Sequence, residues 1–123
     1  SNNLKQLKTL HNEIEKFTSI KDYKERVFAR VLPVKVSIEK CFNIGIEGKN
    51  LICMQGRFSE NMNIETIKLV NAKYLVTKNS GKVGGFEEKI SACEKAGAIP
   101  IVIMPKPQDG VSISEIIKMI DCI

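Results

Sequence analysis

Short runs of β-branched and apolar residues recur along the chain, and a helical pattern follows each of them. The runs begin near residues 26, 50, 73 and 100, without any accompanying sequence repeat. Strands that alternate with helices in this way are joined by right-handed crossovers into a parallel sheet. The pattern therefore predicts an α/β fold in which helices flank a parallel sheet of about four or five strands.

The predicted strands are short and are followed by turn or cap residues. They are Arg26–Leu32, Asn50–Met54, Lys73–Thr77 and Pro100–Met104. The second of them is brief and apolar, as a strand buried on both faces should be. Pro100 is acceptable because it stands at the start of its strand.

The helices are predicted from apolar spacing and cap residues. A first helix would place Leu7, Leu10, Ile14 and Phe17 on one face, with Asn2 or Asn3 as its cap. The second would turn Val34, Ile38, Cys41 and Phe42 inward and end at Gly45. Further helices would run from Ser59 to Asn71, from the region of Phe86 to Gly97, and from Ser112 to the end.

A chain that begins on a helix lacks the first strand expected of such a fold. We therefore expect the sheet to be incomplete at its amino-terminal part. A sheet edge left open in this way would favour a homodimer.

The composition is that of a soluble globular protein. The 123 residues fit one domain and are 43% hydrophobic and 27% charged. No apolar run approaches the roughly 20 residues needed to cross a bilayer, and the start of the chain has no secretory pattern. The sequence therefore predicts a cytoplasmic protein without a membrane segment.

Metal and nucleic-acid binding are both disfavoured. Cys41, Cys53, Cys93 and Cys122 are widely spaced, and His11 is the only histidine, so no zinc site is expected. Most of these cysteines fall on apolar faces, where a free cysteine acts as a small hydrophobe. The net charge of +5 comes from dispersed basic residues, and tryptophan is absent. This distribution does not favour a nucleic-acid surface.

Ligands of open α/β sheets bind outside the carboxyl ends of the strands. Of the loops predicted there, Lys78–Gly85 carries the most chemistry, with three glycines, Ser80 and two lysines ahead of a helix. Backbone amides, a hydroxyl and positive charge at a helix amino terminus suit a phosphate or pyrophosphate. The loop matches neither the GxGxxG pattern nor a Walker sequence, and a flexible, glycine-punctuated connection explains it equally well.

The loop Gln55–Ser59 is the second candidate. Gly56 permits a tight turn, and Phe58 could stack on a planar ligand or pack on a neighbouring helix. Arg57 could pair with a carboxylate or phosphate, or remain solvated. Adjacent Glu87 and Glu88 fit a favourable first-turn charge better than an acid–base pair.

Four ordered motifs resemble one enzyme family. They are RVFARVLP (26–33), MQGRFSENMN (54–63), LVTKNSGKVGG (75–85) with EEKI (87–90), and the Lys106–Pro107 pair. Together they resemble the carboxyl-terminal half of precorrin-6A reductases, also called cobalt-precorrin-6A reductases. The chain departs from that likeness at Arg57, Asn79 and Lys106, where the family usually has proline, aspartate and arginine.

The resemblance implies a Rossmann-like three-layer domain over residues 1–123, with the enzyme's amino-terminal domain absent. It also implies an oxidoreductase of cobalamin (corrin) biosynthesis that uses NADPH or NADH. Hydride would pass to the conjugated macrocycle of (cobalt-)precorrin-6A, and protonation would give (cobalt-)precorrin-6B. The implied partners are this tetrapyrrole and the missing domain.

Site residues follow from the same likeness. Cofactor contacts would come from Gln55, Gly56, Ser59, Lys78, Ser80, Gly81, Gly84 and Gly85. Substrate contacts would come from Arg30, Phe58 and Asn63, and Lys78 is a candidate proton donor. No residue is assigned to a metal.

Two functions remain open at this point. The first is a half-enzyme that supplies part of the cofactor and substrate cleft and is inactive alone. The second is a non-catalytic, flavodoxin-like module that binds or senses a small ligand. The second predicts a complete sheet, and the first predicts a sheet without its first strand.

Overall fold

The computed structural model describes the backbone of residues 2–6, and residues 14–78 and 85–103. In chain order its elements are strand β1 (Asn2–Gln6), a 3₁₀ helix (Ile14–Ser19), α1 (Tyr23–Arg26), β2 (Val27–Val31), α2 (Lys35–Asn43), a second 3₁₀ helix (Gly48–Asn50), β3 (Leu51–Cys53), α3 (Glu60–Val70), β4 (Ala72–Lys78), α4 (Phe86–Ala96) and β5 (Ile99–Ile103). The predicted alternation of strands and helices is confirmed.

The strands form one sheet of five strands in the order β3-β2-β1-β4-β5. Every pairing is parallel, and Leu4 of β1 lies opposite Phe28 of β2 on one side and Leu75 of β4 on the other. The prediction of parallel strands flanked by helices is therefore confirmed. β1 is the central strand of this sheet.

The predicted start of the chain is wrong. Asn2 and Asn3 do not cap a helix, since they lie in β1, and the sheet does not lack its first strand. Residues 2–6 are polar except for Leu4 and carry no β-branched side chain, so their local propensity does not indicate a strand. Pairing with strands on both sides outweighs that propensity. The edge strands are β3 and β5, so the open edge expected from a missing strand is not present among the described residues.

The apolar strand at Leu51–Cys53 is not buried on both faces, contrary to the prediction. β3 is an edge strand whose side chains are half-buried or exposed, and Cys53 is exposed. Its apolar residues are partly buried instead, since Leu51 and Ile52 pack against cores on opposite faces of the sheet.

Apolar side chains fill both faces of the sheet. Val27, Ala29 and Val31 of β2 pack with Phe17 and Cys41 in a first core beside the 3₁₀ helix and α2. A second core on the other face joins the sheet to α3 and α4; it consists of Phe28, Ile67, Val70, Ala72, Leu75, Ala92, Cys93 and Ala98. Alternate residues of β2 thus serve opposite cores, as the pleat requires.

The helix ends agree with the sequence better than the helix faces. Asn71 ends α3 with φ 52° and Gly97 ends α4 with φ 77°, as predicted. Gly45 follows α2 with φ 84°. Val34 and Phe42, predicted inward, are 42% and 52% exposed. Ser37 and Cys41 supply the buried face of α2, because the helix begins only at Lys35.

Two predictions for the chain ends lie outside the described residues: the face formed by Leu7 and Leu10, and the helix beginning at Ser112. Ile14 and Phe17, the other members of that face, are buried in the 3₁₀ helix. Within the described ranges, no helix has the length and apolarity needed to cross a bilayer.

Candidate functional site

The carboxyl ends of the parallel strands meet at one edge of the sheet. Arg30 lies next to the end of β2, residues 54–59 follow β3, and Lys78 ends β4. The helices that follow β3 and β4 begin at this edge, with Ser59 and Gly85 as their cap residues. The structure therefore brings most of the predicted site residues to the same edge.

Arg30 is a buried cation at this edge. Its side chain is 1% exposed, and its guanidinium carbon lies 3.9 Å from the centroid of the Phe58 ring. Burial lowers the pKa of Arg30 from its ordinary value to about 10, because the charged form loses solvation. The side chain is still protonated at neutral pH, and the electron-rich face of the ring partly offsets the cost of its burial.

Gly56 makes room for that ring. A Cβ added at residue 56 would lie 2.2 Å from the Cε2 of Phe58. Such a distance is too short for any real contact, so an alanine would displace the ring. The tight turn predicted at Gly56 is not found, since residues 54–59 contain no regular turn. Glycine is required there because the ring of Phe58 returns over the loop toward Arg30.

Arg57 and Glu88 link the loop after β3 to the first turn of α4. Arg57 Nη2 donates to Glu88 Oε2 across 3.3 Å, and both side chains are partly exposed. Gly85 is buried at the cap of α4 with φ 74°, and a Cβ there would lie 3.8 Å from Arg57 Cγ. The Arg57–Glu88 pair therefore brings the two predicted loops into contact.

Asn63 lies one turn inside α3, and its side chain is 2% exposed. Its backbone N–H donates to the Ser59 carbonyl. Neither Oδ1 nor Nδ2 has a hydrogen-bond partner within the part of the chain that the structure describes. A buried amide in that condition costs stability, so its retention calls for a functional explanation.

The other predicted cofactor residues have mixed outcomes. Ser59 caps α3 by accepting a hydrogen bond from Met62 N at 3.1 Å, so it has a structural role. Gln55 is exposed beside it, and Lys78 is half-buried at the end of β4. Ser80, Gly81 and Gly84 lie outside the described residues.

Two buried polar residues at this edge escaped the sequence reading. Lys89 is 6% exposed in the first turns of α4, and Thr77 is 0% exposed near the end of β4. The spacing of Lys89, Ala92, Cys93 and Ala96 marks the inward side of α4. Because this stripe consists of a lysine and small residues, it does not form a recognisable apolar pattern. The large apolar residues Phe86 and Ile90 indicate a neighbouring face of α4 instead.

The remaining polar groups offer no metal site in the residues that are described, where no cluster of three or more His, Cys, Asp and Glu occurs. Cys41 and Cys93 are buried, as predicted, and burial raises the pKa of the Cys93 thiol to about 11. His11 and Cys122 lie outside the described residues.

These features define an α/β protein whose candidate ligand site lies at the carboxyl ends of parallel strands. Comparison with known proteins identifies the family. The model of the family described as precorrin-6x reductase CbiJ/CobK matches residues 7–123. The chain belongs to this family.

Its curated relatives carry one name. The chain is 43% identical over 84 residues to the cobalt-precorrin-6A reductase of Methanothermobacter thermautotrophicus, covering 68% of this chain and 28% of the relative. It is 35% identical over 101 residues to that of Priestia megaterium, covering 82% and 38%. The corresponding enzyme of Methanococcus maripaludis is 44% identical over 79 residues, covering 64% and 31%. No solved structure gives a significant match.

Proposed function

We propose that the chain supplies the carboxyl-terminal part of the cleft of a cytoplasmic precorrin-6A reductase. The reaction would reduce (cobalt-)precorrin-6A to (cobalt-)precorrin-6B in cobalamin biosynthesis, with NADPH or NADH as the reductant. The match of the family model over residues 7–123 carries this proposal. The chain spans about a third of the length of the curated relatives it matches, 28% in the first case and 38% in another, which supports a role as one part of a larger enzyme.

The strand order supports a Rossmann-like domain. The order β3-β2-β1-β4-β5 is that of the dinucleotide-binding fold up to its fifth strand, whereas flavodoxin-like sheets begin 2-1-3. A half-enzyme was expected to lack the first strand and a complete module to contain it. Because β1 is present, this criterion no longer distinguishes the two functions. The order of the strands, rather than their completeness, now argues against the flavodoxin-like alternative.

The residues present fit an anionic ligand. Arg30 is a buried cation, the Asn63 amide has no hydrogen-bond partner among the described residues, and Gly85 stands at a helix amino terminus. When bound, the nicotinamide would supply the hydride. The part of this chain would be to bind and orient, since holding two planar reactants in register lowers the entropic cost of their reaction. Lys78, half-buried at the same edge, is retained as a candidate for cofactor binding and for proton donation.

The decisive experiment compares the chain with the full-length reductase that carries it. Oxidation of NADPH and of NADH is followed by absorbance in the presence of cobalt-precorrin-6A and of precorrin-6A. We expect turnover by the full-length enzyme and little or none by the chain alone, because the rest of the cleft lies in the remaining length of the protein. Full-length protein that oxidises neither cofactor with either tetrapyrrole would refute the proposed function, and robust turnover by the chain would refute its role as a part.

Lys78 is tested in the full-length protein. Lys78→Ala should weaken cofactor binding, since it removes a positive charge at the end of β4. Lys73→Ala is the control, because Lys73 is exposed at the opposite end of the same strand. Equal dissociation constants for the two variants would remove Lys78 from the cofactor site.

A further inference from the structure

On the face of the sheet that packs against α3 and α4, the buried side chains change from apolar to polar toward the carboxyl ends of the strands. Phe28 of β2 and Leu75 of β4 belong to the second core. Two residues further along the same strands, Arg30 and Thr77 are 1% and 0% exposed. Residues two apart in a strand share a face, so the polar side chains lie beside the apolar ones, nearer the carboxyl edge.

The helices make the same change at the same level. Ile67 of α3 and Cys93 of α4 belong to the second core, and one turn earlier Asn63 and Lys89 are 2% and 6% exposed. Four helical residues advance about 6 Å, and two strand residues advance about 6.6 Å. Because both helices begin at the carboxyl edge, the two steps match. We call Arg30, Asn63, Thr77 and Lys89 the polar layer.

An interior layer of this kind is costly without a ligand. The side-chain amide of Asn63 is shielded from water, and among the described residues nothing donates to its Oδ1 or accepts from its Nδ2. Arg30 and Lys89 add two positive charges to the same layer. Donors and positive charge in a site of low dielectric constant interact strongly with an anion.

We propose that the polar layer is a receptor for one oxyanion, a carboxylate or a phosphate group, with Arg30 and Asn63 as its donors. The inference rests on the proposed function in one respect only, which is that the reductase would bring both kinds of oxyanion to this edge. The phosphate would come from the cofactor, and the carboxylate from an acidic side chain of the tetrapyrrole.

Phe58 is the positioning residue of this receptor. Its ring centroid lies 3.9 Å from the guanidinium carbon of Arg30, so the ring holds the guanidinium in place from one side. Gly56 permits that placement, because a Cβ there would overlap the ring. This assignment differs from stacking on a planar ligand, in which the ring face would be turned toward the ligand and away from Arg30.

The first test uses the isotope-labelled chain and two probes, inorganic pyrophosphate and citrate, followed by NMR of the Asn63 side-chain amide. We expect the amide signals of Asn63 to shift with at least one probe. Asn63→Leu should weaken that probe's binding by about tenfold or more, as loss of a hydrogen bond to a charged group does. Asn61→Leu, on the exposed side of α3, should bind like the parent. Unmoved Asn63 signals with both probes, or equal affinities of the two variants, would overturn the receptor.

The positioning role has its own signature. The ring current of Phe58 should displace the Arg30 Nε–H signal, and Phe58→Leu should remove the displacement and weaken probe binding, whereas Phe58→Tyr should preserve both. Gly56→Ala should reproduce the effect of Phe58→Leu and add little to it in the double variant, since both act on one contact. Additive effects, or probe binding unchanged by Phe58→Leu, would refute the positioning role.

Kinetics of the full-length reductase distinguish the two sources of oxyanion. A raised KM for the cofactor in Asn63→Leu identifies the phosphate, and a raised KM for the tetrapyrrole identifies the carboxylate. Wild-type values of both would contradict the receptor, whatever the fold of the isolated chain. Conversely, a receptor that binds pyrophosphate in a protein without reductase activity would leave the receptor standing and the proposed function refuted.

Discussion

At the carboxyl edge of the sheet, side chains that are suited to ligand binding lower the stability of the fold. Arg30 and Asn63 are buried where apolar residues would pack more favourably, and Gly56 is constrained by the ring of Phe58. The sequence indicated Arg30 and Asn63 only through a family likeness, and Phe58 also as an aromatic residue in a polar loop. Their burial could not be read from it, because the face of α3 depends on which strand the helix covers.

Asn63→Leu should raise the free energy of unfolding while it weakens ligand binding. The substitution removes an amide without hydrogen-bond partners among the described residues, and such a group costs about 1–3 kcal/mol. Leucine has the same number and branching of side-chain heavy atoms as asparagine and can join Ile67 one turn away. Chemical denaturation of the chain, with Asn61→Leu as the exposed control, measures the change; a clear loss of stability specific to Asn63→Leu would contradict it.

At the scale of the element, helix ends were predictable and helix faces were not. Ser59, Asn71 and Gly97 act through their own backbone neighbourhood, so sequence alone identifies them. The inward faces of α2 and α4 include Ser37 and Lys89, which hydrophobicity does not select. The strand formed by residues 2–6 was not predicted for a similar reason, since its pairing depends on strands that are distant in sequence.

The contact between α3 and α4 should make stability depend on pH. Lys95 donates to Glu60, and this hydrogen bond, followed by one from Ser91, lowers the pKa of Glu60 below its usual 4.5. A carboxyl whose pKa is lower in the folded state contributes stability above its unfolded pKa, and this contribution disappears as pH falls through the folded pKa. Glu60→Gln should therefore lower the melting temperature at pH 7 and have no effect once the carboxyl is protonated.

Glu87→Gln is the matched control, because Glu87 is also in a helix first turn but is exposed on α4. It shares the interaction with the helix dipole and isolates the contribution of Lys95. Thermal melts from neutral to acidic pH give the comparison. If the melting temperatures of the two variants depended on pH in the same way, the Glu60–Lys95 ion pair would make no measurable contribution to stability.

At the scale of the whole molecule, the central strand of the sheet, β1, is the strand that the sequence pattern indicates least clearly. β1 pairs with β2 and β4, and through them it joins the two halves of the fold. The alternation of later strands and helices was enough to predict a parallel α/β protein. The number and order of the strands were not predictable, because they depend on which strands pair with residues 2–6, and the mixed polar and apolar sequence of these residues does not indicate that pairing.

Leu4→Pro should abolish the cooperative fold. Proline has no N–H to donate and is not tolerated in a strand that is paired on both sides. Leu4→Val retains the N–H and is favourable for a strand, so it serves as the control. Circular dichroism and thermal melting of the two variants measure the effect; a cooperative melt of Leu4→Pro like that of Leu4→Val would show that β1 is dispensable.

The position of β1 also bears on how the chain folds. Residues 2–6 are synthesised before the other strands of this sheet, yet Val76 opposite Lys5 emerges only after some seventy further residues have been made. Closing so long a loop has an entropic cost before any contact rewards it, and folds dominated by such pairings form slowly. The central strand β1 can therefore gain its second neighbour only after β4 has been synthesised.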